Sequence, residues 1–216
     1  MSKSKNKFLL DPTQGRDACG IGFVANVKGE KSHKIVEMGI EMLIHLEHRG
    51  ACGCDPLTGD GAGILIQIPH EFYLKNNNFS LPQKGEYGVG MIFLPSQNSD
   101  RKICEEIVNQ VIQDEKQHLL GWRDVPIDPN ECGELSRLAM PVIRQVFISK
   151  NKELPDEESF ERKLYVIRKR IEQSVRESRL KTAQDFYISS LSARTVVYKG
   201  QLISHQIPKF FLEANQ

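Results

Sequence analysis

Two stretches of the chain carry apolar residues on one helical face only, and they limit the fold more than any other feature. In residues 101–119, Ile103, Ile107 and Val111 form a stripe at four-residue steps, with Cys104, Val108 and Ile112 as a second stripe beside it. In residues 159–177, Phe160, Leu164, Ile167, Ile171 and Val175 share a face. A one-faced helix of this length must bury its stripe against another layer. Short β-rich runs closed by turn residues can supply that layer. They are residues 20–27, residues 64–68 ended by Pro69, and Tyr87–Leu94 ended by Pro95. Val142–Ser149 follows, then residues 185–191 and 195–199, which read as a hairpin around Ser192-Ala193-Arg194. Residues 34–48 add a helix behind Ser32 as N-cap, with Ile35, Met38, Met42 and Leu46 as its stripe, and residues 204–211 begin another. This mixture predicts a layered α+β domain.

Charge removes several function classes. Lys+Arg is 29 and Asp+Glu 28, a net charge of +1 that lacks the basic excess of a dedicated nucleic-acid binder. The basic face of residues 159–177 (Arg162, Lys163, Arg168, Lys169, Arg170) reads first as a solvated helix face. No apolar run approaches the ~20 residues of a membrane span. The first 18 residues are polar apart from Phe8-Leu9-Leu10 and lack the apolar stretch of roughly 7–15 residues of a secretory signal. They read as a tail. Five cysteines without such a signal read as reduced thiols in the cytoplasm.

Chemistry concentrates in three places. The first is Cys19, where the tail meets the first apolar run. If residues 1–18 were removed, Cys19 would own a free α-amino group of pKa ~8 beside its thiol, so that one residue could supply nucleophile and base. The alternative is a buried, inert cysteine at a strand end. The second is His48-Arg49-Gly50. Arg49 could form a bidentate pair with a substrate carboxylate; the same residues also suit a helix C-terminus. The third is the glycine-rich loop, residues 49–63, with five glycines in fifteen residues. It matches neither a phosphate loop nor a dinucleotide fingerprint. Its glycines suit tight turns and close backbone approach. Asp55 and Asp60 do not meet the EF-hand pattern. Cys52 and Cys54 form a CxC pair without a second pair, a weak zinc signal. We assign no metal site. Trp122, the only tryptophan, is expected to pack against the core.

Taken in order, these segments resemble a known family. Asp17-Ala18-Cys19-Gly20-Ile21-Gly22-Phe23, His48-Arg49-Gly50 and Thr58-Gly59-Asp60-Gly61-Ala62-Gly63-Ile64-Leu65 are similar to the start of the large subunit of bacterial glutamate synthases. Tyr87-Gly88-Val89-Gly90-Met91, Gly121-Trp122-Arg123, Arg144-Gln145-Val146-Phe147-Ile148, Phe160-Glu161-Arg162-Lys163-Leu164-Tyr165, Ser190-Leu191-Ser192 and Val197-Tyr198-Lys199-Gly200 continue the resemblance in the same order. It covers residues 17 to about 211, and the ordered set is far more specific than any one motif.

The resemblance implies a class II glutamine amidotransferase domain of the N-terminal-nucleophile hydrolase type, a four-layer αββα sandwich. Residues 1–18 would be a propeptide and residues 19–216 a partial domain. Cys19 would attack the side-chain amide of L-glutamine, and Arg49 would help position the substrate. Ammonia would pass to a separate synthase part, holding FMN and an iron–sulphur cluster and served by a small electron-donor subunit, where 2-oxoglutarate becomes glutamate. Neither cofactor is expected in this chain. The family's His-Ser-Arg-Phe-Ser-Thr-Asn and Asn-Gly-Glu motifs, which supply a carboxylate clamp and the oxyanion hole, do not occur in these residues. Losing one oxyanion donor typically costs ~10²–10³ in rate. The expectation is therefore a front part of a longer enzyme, or an inactive fragment serving as a binding or assembly module.

Overall fold

The computed structural model describes residues 19–50 and 55–215. The tail and the Cys52/Cys54 pair lie outside the described residues.

The centre is a four-stranded antiparallel sheet built from β2 (Tyr87–Leu94), β3 (His118–Asp124), β4 (Val142–Ser149) and β5 (Tyr187–Ser192), in the order β3-β4-β2-β5. Its two faces follow the two-residue period of a strand. Ile92 and Leu94 of β2, with Val146 and Ile148 of β4, join one core with the stripes of α3 (Asn98–Asp114) and α5 (Glu157–Glu177). Cys104, Val108 and Ile112 of α3 and Phe160, Leu164, Ile167 and Ile171 of α5 are fully buried there. Asp156 starts α5 as N-cap, its side chain accepting a bond from the Ser159 amide at 2.7 Å.

The opposite face of the sheet meets a second, two-stranded antiparallel sheet of β1 (Ala62–Gln67) and β6 (Thr195–Gly200). Met91 and Ile143 pack there with Val196, Tyr198, Leu202, Ile207, Phe210 and Phe211. Beside them α2 (His70–Asn76) sets Tyr73 edge-on to Phe147, ring centroids 5.1 Å apart. Between the sheets lies a buried polar network. Gln145 donates to the hydroxyls of Tyr73 (3.0 Å) and Tyr198 (3.3 Å) and accepts from Arg123 (2.9 Å). Arg123 also pairs with Glu213, whose other carboxylate oxygen accepts from Tyr198 at 2.6 Å. Burial raises the hydroxyl pKa of both tyrosines, so each stays protonated. The remaining helices are α1 (His33–His45), whose Gly39 faces the Ile64 side chain, α4 (Glu134–Leu138) and α6 (Ile207–Phe210).

The structure corrects three readings. The strands on either side of Ser192-Ala193-Arg194 do not form a hairpin: β5 pairs with β2 and β6 with β1, so the chain passes there from one sheet to the other. Residues 20–27 are not a strand. Among the described residues no strand pairs with them, and a strand without a partner leaves its amides and carbonyls unmet. The segment runs along α1 instead, leaving Ile21, Phe23 and Val27 exposed. The helix expected over 101–119 ends at Asp114; Lys116 takes a left-handed φ of 59° and the chain re-enters the sheet as β3. Trp122 lies on that strand, against the helical core, with its indole N–H donating to Asn109 at 3.1 Å.

The basic face of α5 is neutralised by carboxylates: Arg162 by Glu158, Lys163 and Arg170 by Glu115, and Arg168 and Lys169 by Glu172. The hydrogen bonds from Lys163 and Arg170 hold the Glu115 carboxyl below the usual glutamate range. A depressed carboxylate stabilises the fold above its unfolded pKa of about 4.3 and stops doing so as pH falls through the folded value. Glu115→Gln is therefore expected to lower the melting temperature near pH ~7 and to be close to neutral near pH ~2. Thermal denaturation at both values checks this; an equal loss at both would assign the effect to packing.

Candidate functional site

The site is assembled on the C-terminal end of α1. After His45 the chain tightens into a 3-10 turn, Glu47–Arg49, where the Arg49 amide donates to the Leu46 carbonyl at 2.8 Å. The His48 ring nitrogen lies 3.0 Å from the His45 carbonyl oxygen, so the imidazole finishes the helix. Arg49 is exposed. The helix-terminus reading and the substrate-binding reading of His48-Arg49-Gly50 are thus compatible: His48 closes the turn, and the turn holds Arg49 out.

Against this turn runs the segment bearing the candidate nucleophile. A Cβ built on Gly20 would lie 3.3 Å from Cβ and Cγ of Arg49 and 3.2 Å from Leu46, and one on Gly22 would strike the Met42 sulfur at 2.3 Å. The absence of side chains at positions 20 and 22 lets the backbone lie on the helix. Cys19, directly before Gly20, is exposed. The fold thus lays the residue that follows Cys19 on the stem of Arg49. The other described cysteines differ: Cys104 and Cys132 are buried, and desolvation pushes the Cys104 thiol up to about 11 and raises that of Cys132.

The rest of the glycine-rich loop is clamped from outside. Asp55 accepts from the Leu57 amide (3.0 Å), the Thr58 hydroxyl (2.9 Å) and the Leu135 amide (3.4 Å). The first two of these bonds, led by that from Leu57, hold its carboxyl below the usual aspartate range. Asp55 thus fastens the loop to the chain around α4. A Cβ on Gly59 would lie 2.4 Å from the Leu202 carbonyl oxygen, a backbone atom with no room to yield. Gly61 holds a φ of 137°. These are the close approaches and turns that the glycine pattern predicts. Among the described residues no three His, Cys, Asp or Glu side chains converge in a way that could hold a metal ion.

Two parts of this arrangement carry no sequence motif. Gln206 is 1% exposed and donates to the carbonyls of Leu57 (3.0 Å) and Glu131 (2.6 Å). His205 approaches Glu47 at 3.4 Å. The one sequence signal was a glutamine set within the apolar run Leu202, Ile203, Ile207.

Comparison with known proteins decides the family. Residues 19–216 match the model of the glutamine amidotransferases class-II family, a match that starts at Cys19. The chain belongs to that family. It is 46% identical to the glutamate synthase [NADPH] large chain of Bacillus subtilis (strain 168) over 96% of its own length, and 39% identical to the corresponding chain of Azospirillum brasilense over 93%. Ferredoxin-dependent glutamate synthase 2 of Synechocystis is 36% identical over 98%. The chain spans 13% of the length of each of these relatives. No helix among the described residues is long and apolar enough to cross a membrane.

The burial difference predicts a selective reaction. Iodoacetamide at about neutral pH should alkylate Cys19 in the native protein and spare Cys104 and Cys132 until denaturant is added. Peptide mapping of the labelled protein checks this; prompt native labelling of Cys104 would show that its burial does not protect it.

Proposed function

We propose that this chain is the glutaminase part of a glutamate synthase and hydrolyses L-glutamine to glutamate and ammonia through Cys19. The packing of Gly20, the residue after Cys19, on the stem of Arg49 carries this reading, with Cys19 and Arg49 both exposed. Family membership supports it.

On this reading residues 1–18 are removed and the freed α-amino group of Cys19 takes the thiol proton. The sulfur attacks the side-chain amide carbon of glutamine. The carbon–nitrogen bond breaks, and ammonia leaves with that proton, forming a glutamyl thioester. Water then attacks the thioester carbonyl, the carbon–sulfur bond breaks, and glutamate and the thiol are released. Arg49 holds a substrate carboxylate through charge-assisted hydrogen bonds, so its contribution is uniform binding and not rate. The described helix, four-stranded and two-stranded layers represent three layers of an αββα sandwich.

Ammonia then serves the amination of 2-oxoglutarate in the synthase part of the longer enzyme. We place FMN, the iron–sulphur cluster and contact with an electron-donor subunit in that part. The buried free thiols Cys104 and Cys132 suit the reducing cytoplasm.

Cys19→Ala should abolish glutamine hydrolysis in the enzyme purified from its host while leaving its melting temperature within about 2 °C. Ammonia release at an undiminished rate would remove Cys19 as nucleophile. Arg49→Ala should raise KM for glutamine with little change in kcat, and a wild-type KM would remove the substrate-binding role.

A further inference from the structure

We propose that Gln206 is a positioning residue for glutamine binding: it braces the glycine-rich loop whose first turn carries Arg49. The inference rests on the role of Arg49 given above. The segment from Leu202 to Gln206 touches that loop on both sides of residues 51–54. Upstream, His205 Nδ1 lies 3.4 Å from Glu47 Oε1, on the turn that carries Arg49. Downstream, Gln206 Nε2 donates to the Leu57 carbonyl, and the Leu202 carbonyl lies against Gly59 so closely that no side chain fits there.

Gln206 is the centre of this brace because it leaves none of its own groups unmet. Its second amide bond goes to the Glu131 carbonyl, which ties the loop to the segment before α4. Its Oε1 accepts from the Ile203 amide at 2.8 Å, which fixes the side chain against its own turn. An amide with three bonds at 1% exposure is costly to disturb, because each lost bond strands a polar group in a dry interior. The brace is itself anchored: Leu202, Ile207, Phe210 and Phe211 lie in the core between the sheets. Gln206 touches neither Cys19 nor Arg49. It acts by fixing the turn Ser204–Gln206, whose His205 meets Glu47 on the turn that carries Arg49, and its effect should fall on carboxylate capture and not on the thiol.

The test is a double-mutant cycle in the enzyme from its host. Gln206→Met keeps the side-chain length and removes all three bonds. Gln206→Glu keeps the acceptor for the Ile203 amide and loses both donors, so it carries the test if the methionine variant does not fold. Each should raise KM for glutamine roughly three- to tenfold, the size of one or two lost hydrogen bonds, with kcat and the rate of Cys19 alkylation within about twofold. In an Arg49→Ala background the same substitution should leave KM unchanged, because the residue being positioned is gone. An unchanged KM in the wild-type background overturns the proposal, as does an equal rise in both backgrounds. If Arg49→Ala alone keeps a wild-type KM, the reading of Arg49 falls and the brace falls with it. If Arg49→Ala raises KM and Gln206→Met does not, only the brace falls.

Discussion

The two sheets are held in register by one buried amide. Gln145 sits on the face of β4 that looks toward β1 and β6, with no exposed surface, and its donors and acceptor are spent on Tyr73, Tyr198 and Arg123. A slip of β4 by one residue would turn Gln145 into the apolar core under α3 and α5 and leave three partners unmet. Hydrophobic burial alone tolerates such slips more readily, since Val146 and Phe147 are both apolar. The network also extends to Glu213, so the closing turn of the described chain is joined to the same interface.

The site itself is built from features that differ in enclosure. Cys19 and Arg49 are exposed, and the backbone that follows Cys19 lies on the stem of Arg49. The glycine-rich loop behind them is bound by Asp55, Gly59 and Gln206 to segments more than seventy residues away in sequence. Two exposed residues thus stand on a closed support. On the proposed reaction, substrate can enter and ammonia can leave while that support stays fixed.

The amphipathic helices and β2 and β4 were legible because each follows one period without interruption; β2 and β4 have the bounds that the sequence alone indicates. What failed had a physical cause in each case. The strand expected over 20–27 has the composition of one, but composition does not provide an edge to pair with. The strand β3 was hidden because no glycine or proline separates it from the helix, and the break rests on Lys116 adopting a left-handed backbone that its side chain does not announce. Cys19 and Arg49 are singled out by the ordered resemblance and not by local pattern, which favours an inert thiol and a helix end. Glu213, Gln145 and Gln206 were not legible as partners, since nothing in a sequence marks which buried polar groups will meet.

The exposure of residues 19–23 separates what the molecule does from what keeps it folded. A change at Ile21 or Phe23 touches water more than protein, so it carries little stability debt and leaves the sheets unaware of it. A change at Gly59 is felt at once by the Leu202 backbone. Descendants of this sequence are therefore free to retune the surroundings of Cys19 by single steps. The loop beneath it drifts only when residues on both sides of the contact change together.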